Sequence, residues 1–115
     1  KMRPWGGLPA DTRKDLEDFS FSSREIFPNG LNPRLEELIV AINPYWEVKT
    51  LHTRRKDYGR TTGEWLRRLR VHEKAIRDKW GDKVFEDYDR YLSTCVRAFD
   101  IHYSSLVQME LLRIG

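Results

Sequence analysis

The sequence lacks the features that mark secreted and membrane-spanning chains. It has one cysteine, Cys95, so no disulfide can form within the chain, and a reducing compartment is predicted. No run of about 18 apolar residues exists, so no segment is predicted to span a bilayer. Residues 1–7 carry no apolar core of a signal peptide. We therefore expect a cytoplasmic protein.

Residues of the kinds that bind metals or nucleotides are equally sparse. The three histidines, His52, His72 and His102, are scattered, and no cysteine or carboxylate spacing around them suggests a zinc site. No serine is marked as an exposed nucleophile. The adjacent glycines Gly6 and Gly7 follow no apolar strand, so the glycine-rich turn that cradles a nucleotide is missing. The sequence predicts neither a metal site nor a nucleotide site in this chain.

Charged and aromatic residues are what the chain has in quantity. Its 115 residues amount to one domain or part of one. A charged fraction of 34% beside a hydrophobic fraction of 39% predicts a thin core. An aromatic fraction of 12%, with four tryptophans, argues against disorder. Such a chain is expected to leave surfaces that something else must cover.

Many of the basic residues fall in one stretch, although the net charge is only +3. A basic stripe of this kind attracts phosphate groups on nucleic acid or on anionic lipid. The alternative is an ordinary solvated helix face. The stripe consists of Lys49, Arg54, Arg55, Lys56, Arg60, Arg67, Arg68, Arg70, Lys74, Arg77 and Lys79.

Apolar periodicity and turn residues divide the chain into helices and strands. Asn32 is predicted to cap a short helix that has Pro33 in its first turn, and Gly81 is predicted to end a long one before Asp82 caps the next. The predicted elements are a charged helix over 11–19, a helix over 33–42, a strand over 46–51, a basic connector over 52–60, a helix over 62–80, a helix from 82, and a strand over 105–114. The last helix is predicted to bury Phe85, Tyr88, Tyr91, Leu92, Cys95, Val96 and Phe99.

The order of these elements predicts an incomplete α/β fold. The two strands can pair antiparallel across the helical insertion, but two strands alone make a marginal sheet. The last strand is apolar on much of both faces, so it requires neighbours and cover on both sides. The chain therefore reads as the end of a sheet whose beginning lies elsewhere.

Five ordered segments resemble the C-terminal part of the cyclopropane-fatty-acyl-phospholipid synthases and the related mycolic acid methyltransferases. The run IFPNG at 26–30 is similar to the family's IFPGG turn, and LEEL at 35–38 to the helix after it. YGRT at 58–61 with Trp65 resembles the family's Y-x-x-T-L-x-x-W segment, although Thr62 replaces its leucine. Residues 88–99 resemble its Y-x-x-Y-L-x-x-C-x-x-x-F helix, and Gln108 matches the glutamine of its final strand.

The resemblance covers about residues 24–114 and implies a Rossmann-like class I methyltransferase. Members transfer a methyl group from S-adenosylmethionine to the cis double bond of an acyl chain, and a bound bicarbonate is thought to remove a proton. By resemblance Tyr58 is a ligand of that bicarbonate. The other bicarbonate ligands and the S-adenosylmethionine site belong to an earlier part of the family's chain. The resemblance therefore implies that this chain alone is inactive, with a lead-in over 1–23 and the C-terminal part of a methyltransferase domain over 24–115.

Further roles follow from the resemblance and from the basic stripe. Trp65, Leu69 and Tyr91 are predicted to line an acyl pocket or simply to pack. A partner that carries phosphate, such as a phospholipid headgroup, is expected at Arg60, Arg67, Arg68 and Arg70. For Arg60, a pair with Glu64 is the alternative.

Two other functions remain open. The chain could be a non-catalytic, lipid-binding partner subunit of a two-chain methyltransferase. It could also be a small basic helical module that binds nucleic acid, which ranks last because the basic residues are not confined to one helical face. The expected partners are an acyl lipid or phospholipid, the N-terminal half or a second chain carrying the nucleotide site, and a second copy of this chain. The expected location is the cytoplasm or the inner membrane surface.

Overall fold

The structure is a computed structural model and describes residues 13–28 and 32–115. These residues form a helix-rich α/β arrangement, as predicted, with two strands on either side of a helical insertion. In chain order the elements are α1 (Arg13–Phe21), a π-helical segment (Ser22–Ile26), α2 (Leu35–Ile42), β1 (Trp46–Thr53), α3 (Arg55–Val71), α4 (Glu73–Trp80), α5 (Asp82–Asp100) and β2 (Val107–Arg113).

The two strands pair antiparallel, which confirms the predicted pairing. Trp46 lies opposite Arg113 and Thr53 lies opposite Val107. The register shifts between Val48 and Thr50, so a bulge interrupts the ladder there. β1 is two residues longer than predicted, and β2 begins and ends inside the predicted range.

The helical insertion differs from the prediction of a connector over 52–60 and one helix over 62–80. α3 begins at Arg55, directly after β1, because the Arg54 carbonyl accepts the Tyr58 N–H at 2.9 Å while the Arg54 N–H donates to the Leu106 carbonyl at 2.7 Å. The helix breaks at His72, which has φ −100° and ψ 19°, and α4 follows. Tyr58 therefore lies in the first turn of α3 rather than ahead of it.

Gly81 ends α4 as predicted, but both predicted caps are wrong. Gly81 has φ +94° and ψ 162°, a conformation that side chains with a Cβ rarely adopt. Asp82 is the first residue of α5, and its carboxylate accepts a hydrogen bond from Arg77 at 3.0 Å instead of capping. α2 begins after Arg34 rather than after Asn32, and the Arg34 N–H donates to the Glu37 carboxylate at 3.2 Å.

α5 is the central element of the packing, since α1, α3 and α4 all pack against it. Among the described residues the buried apolar side chains are Phe21, Phe85 and Ala98. Of the seven residues predicted to be buried on α5, Phe85 is buried and Tyr88 is 48% exposed. The other five are partly buried: Tyr91, Leu92, Cys95, Val96 and Phe99. The exposed large apolar side chains are Leu16, Phe27, Val40, Tyr45, Trp46, Leu51, Trp65, Val71, Trp80, Val84, Tyr88, Leu112 and Ile114.

Ion pairs attach α1 to α5. The Asp15 carboxylate, whose side chain is 8% exposed, accepts hydrogen bonds from Arg97 at 3.1 and 3.2 Å. Arg90 donates to Asp18 at 2.9 Å. Burial alone would raise the pKa of Asp18, but hydrogen bonds from Lys14 and Arg90 outweigh it and leave that pKa below its ordinary value.

Candidate functional site

The Tyr58 ring lies between α3 and α5 and packs against aromatic rings of both helices. The ring meets Trp65 edge to face at 5.9 Å and Phe99 edge to face at 5.5 Å between centroids. α3 and α5 come close at Gly59, where a Cβ would stand at an ordinary contact distance of 3.5 Å from the Phe99 Cβ. No hydrogen bond joins the Tyr58 hydroxyl to any other residue that the structure describes. The phenol is therefore fixed by packing and keeps its hydroxyl available to a ligand.

Tyr91 and Cys95 lie one turn apart on α5, beside Tyr58. The Tyr91 ring meets Phe27 edge to face at 5.5 Å, and Cys95 lies near enough to Tyr91 to affect its pKa. Burial raises the pKa of Tyr91 well above its ordinary value, and the neighbouring Cys95 and Tyr58 add to the effect. Burial likewise raises the pKa of the Cys95 thiol, although the neighbouring Tyr91 hydroxyl opposes it. Both side chains therefore stay protonated at neutral pH.

The predicted pocket residues form an open face rather than a closed cavity. At about 100° per residue, Trp65 and Leu69 lie about 20° to either side of Tyr58 around α3. Trp65 is 46% exposed. We name Tyr58, Trp65, Leu69, Tyr91 and Cys95 the aromatic face. Cavities of about 340 and 520 Å³ border α1 instead, and no residue of the aromatic face lines either of them.

The four arginines predicted to meet phosphate do not form one cluster of unpaired charges. Glu64 accepts hydrogen bonds from Arg67 at 2.9 and 2.6 Å and from Arg68 at 2.9 Å. These bonds lower the pKa of Glu64 to about 2. Arg70 instead reaches α5, where it donates to Asp89 at 2.7 and 3.4 Å. Three of the four are thus engaged within the chain.

Arg60 differs from the other three. It makes no ion pair or hydrogen bond with another of the described residues, so the alternative of a pair with Glu64 is wrong. The reason is that Arg67 and Arg68 already occupy the Glu64 carboxylate. Lys56, one turn before Arg60, is also without an acidic partner in the described part of the chain.

Neither a metal cluster nor a membrane-spanning helix is found in residues 13–28 and 32–115. No three His, Cys, Asp or Glu side chains of this part of the chain are grouped so that they could hold a metal ion. None of its helices combines the length and the apolar character needed to cross a bilayer.

Two residues of this region were not among the predicted site residues. Phe99 packs on Tyr58, and the signal for this contact was Gly59, which marks where α3 comes close to α5. Phe27 packs on Tyr91, so the IFPNG segment reaches the aromatic face, although residues 29–31 of that region lie outside the described residues.

Comparison with known proteins finds relatives among the cyclopropane synthases. The family model described as mycolic acid cyclopropane synthetase matches residues 8–109. The cyclopropane-fatty-acyl-phospholipid synthase of Escherichia coli strain K12 is 25% identical over 87 residues, which are 76% of this chain and 23% of that enzyme.

Solved structures agree. Cyclopropane synthase MmaA2 from Mycobacterium tuberculosis superposes with a TM-score of 0.80 at 27% identity, over 90% of this chain and 36% of that one. Mycolic acid cyclopropane synthase CmaA1, complexed with SAH and CTAB, superposes with a TM-score of 0.78 at 22% identity, over 88% of this chain and 35% of that one. The chain thus spans about a third of these structures and matches a part of their methyltransferase fold, which confirms the predicted fold class.

Proposed function

Because the chain belongs to the mycolic acid cyclopropane synthetase family, we propose that it is the C-terminal part of an S-adenosylmethionine-dependent methyltransferase of unsaturated acyl chains. The family match also confirms the resemblance stated from the sequence. The product would be a cyclopropane ring or a methyl branch on an acyl lipid or phospholipid, made in the cytoplasm or at the inner membrane surface. The match over residues 8–109 is the observation that carries this proposal.

The residues that the structure describes do not fit S-adenosylmethionine. Neither described strand leads into a glycine-rich turn of the kind that holds the cofactor in Rossmann-like folds. The cofactor would therefore be bound by a part of the enzyme that is not in this chain. This chain alone is expected to be inactive.

Tyr58 suits the role of a bicarbonate ligand. Its ring is held between Trp65 and Phe99, and its hydroxyl is not used by another of the described residues. A phenol can donate a hydrogen bond to an anion without placing a charge beside a cationic intermediate. Bicarbonate, when bound, would supply the base that accepts a proton. The role of Tyr58 is to position that anion.

The remainder of the aromatic face would pack against the acyl chain. Trp65 and Leu69 continue the line of Tyr58 along α3, and Tyr91 lies beside it on α5. Because the pKa of Tyr91 is raised, its hydroxyl stays neutral and adds no charge near an apolar substrate. A face that is half exposed in this chain would become a closed pocket once the rest of the enzyme covered it.

The test is Tyr58→Phe in the assembled enzyme that carries this chain. Removing one positioned donor is expected to lower kcat by about a hundred- to a thousandfold. The free energy of unfolding should change by less than about 0.5 kcal/mol because both ring contacts remain. Tyr88→Phe removes a hydroxyl from a ring that is 48% exposed and serves as the control. Equal methyl transfer by the two variants would refute the role of Tyr58.

The uncovered apolar surface favours a second candidate, a partner subunit that binds a separate methyltransferase chain. Trp80 is 62% exposed and Val40 is 73% exposed, which leaves surface on two parts of the fold for another chain to cover. Co-purification separates the candidates. A nucleotide-binding chain in fixed ratio indicates a partner subunit, and a second copy of this chain indicates a homo-oligomer. If neither co-purifies, the first proposal is retained.

A further inference from the structure

α3 concentrates positive charge beyond what the fold uses. It carries six basic and two acidic side chains, a net charge of +4 on 17 residues. Four of the six basic side chains have partners within the chain. Arg55 donates to the Phe99 carbonyl at 2.6 Å, Arg67 and Arg68 share Glu64, and Arg70 pairs with Asp89. Lys56 and Arg60 have none among the described residues.

The two basic side chains without such partners, Lys56 and Arg60, lie on one side of α3, and Arg67, which pairs with Glu64, lies on that side as well. At about 100° per residue, Lys56, Arg60 and Arg67 fall within about 40° of one another around the helix. They extend along about 16 Å of its axis, at about 1.5 Å per residue. Gly63 lies between them, and a Cβ added there would meet no atom within 4 Å. We name Lys56, Arg60, Gly63 and Arg67 the outer basic face.

This face lies opposite the aromatic face. Lys56 and Arg60 are each about 160° from Tyr58 around α3, so a single helix, about 10–12 Å thick, separates the two. Val71, the last residue of α3, is 66% exposed and lies about 20° from Arg60 around the helix. An apolar side chain at the end of a cationic helix face suits the boundary between headgroups and acyl chains.

We propose that the outer basic face docks on the anionic headgroups of a lipid bilayer. The proposal rests on the proposed function, in which the substrate is an acyl chain of a membrane lipid. The cations of this face lie in a row along α3, and Gly63 places no side chain between them, so the face complements a plane of repeated phosphates. No residue of the outer basic face lines either cavity beside α1. Docking there would bring headgroups within one helix thickness of the aromatic face.

The test is the binding of the full chain to phosphatidylcholine vesicles with and without phosphatidylglycerol, at low and high salt. Each cation near an anionic surface contributes about fivefold in binding, the equivalent of about 1 kcal/mol. The double variant Lys56→Gln/Arg60→Gln should therefore bind anionic vesicles about thirtyfold more weakly. Gly63→Glu should also weaken binding, since it places a carboxylate among the cations in open space. Binding by the unchanged chain should fall as salt rises.

Lys74→Gln/Lys79→Gln is the matched control, because it removes the same charge from α4. Retained binding by this variant supports the proposal, whereas an equal loss means that net charge alone acts and overturns it. Absence of binding to anionic vesicles also overturns it. A further outcome is that the chain fails to bind vesicles but binds an acidic acyl carrier protein or nucleic acid. If Lys56→Gln/Arg60→Gln abolishes that binding, the face is assigned to that partner and the proposal is overturned.

The vesicle assay requires no turnover, so its outcome is separate from that of Tyr58→Phe. Tyr58→Phe should bind anionic vesicles as the unchanged chain does, because Tyr58 lies on the opposite side of α3. Normal vesicle binding with unchanged methyl transfer by Tyr58→Phe would refute the catalytic proposal alone. Reduced methyl transfer by Tyr58→Phe, together with no binding of the unchanged chain to anionic vesicles, would refute the docking face alone.

Discussion

Alanine substitution at two glycines of the helical insertion should change the free energy of unfolding in opposite directions. Gly63 lies inside α3, and a Cβ there would meet no atom within 4 Å. Gly81 lies between α4 and α5 with φ +94° and ψ 162°. Alanine fits the space at both positions, because a Cβ at Gly81 also has nothing within 4 Å. The two substitutions therefore differ in backbone conformation and not in packing.

The magnitudes follow from that difference. Gly63→Ala should raise the free energy of unfolding by about 0.5–1 kcal/mol, because glycine in a helix interior loses more backbone entropy than alanine. Gly81→Ala should lower it by about 1–3 kcal/mol, because only glycine adopts that region without strain. The two variants should thus differ by about 1.5–4 kcal/mol.

Urea denaturation followed by far-ultraviolet circular dichroism measures both variants against the unchanged chain. Gly59→Ala gives a third point, since its Cβ would stand at an ordinary contact distance of 3.5 Å from the Phe99 Cβ and should be tolerated. The reasoning fails if Gly63→Ala destabilises the chain, which would show that unseen atoms fill that space. It also fails if Gly81→Ala is neutral, which would show that the junction relaxes without cost.

Three further predictions concern the α1–α5 contact and the aromatic face. Asp15→Ala should lower the free energy of unfolding by about 2 kcal/mol, since it removes charge-assisted hydrogen bonds from a buried carboxylate; a urea midpoint equal to that of the unchanged chain would contradict this. Because the folded pKa of Asp18 is lowered, its contribution to stability is present above its unfolded pKa and is lost as the pH falls through the folded value; stability measured against pH should lose this component in Asp18→Asn. Cys95 should react slowly with a thiol reagent in the folded chain and quickly in denaturant, because burial raises its pKa; equal rates would show that the thiol is open.

The strand pairing could be predicted from sequence because it depends on patterns inside the two strands. The start of α3 could not, because residues 52–60 are charged and carry no apolar period. There the helix begins where distant backbone groups allow it, since Arg54 donates to the Leu106 carbonyl and Arg55 to the Phe99 carbonyl. Contacts between residues so far apart leave no local signal.

More residues of α5 were predicted to be buried than the structure buries, for a related reason. Apolar periodicity shows which helix face requires cover, not whether this chain supplies the cover. Phe85 is buried because Arg77 of α4 lies over its ring at 4.6 Å. Among residues 13–28 and 32–115, no cation or ring stacks on Tyr88, one turn later, and it is 48% exposed. The arginines of the basic stripe were grouped by sequence alone, and only the structure separates Arg70, which pairs with α5, from Arg60.

The start of α3 matters for function as well as for the fold. If Tyr58 belonged to a loop, its ring direction would be independent of Trp65, and the spacing between them would carry no meaning. Since the helix already runs at Arg55, seven residues bring Trp65 back to within about 20° of Tyr58. The same periodicity brings Arg67 back beside Arg60 on the opposite side. One continuous helix therefore fixes both faces at once, and any change that rotates part of α3 would disturb them together.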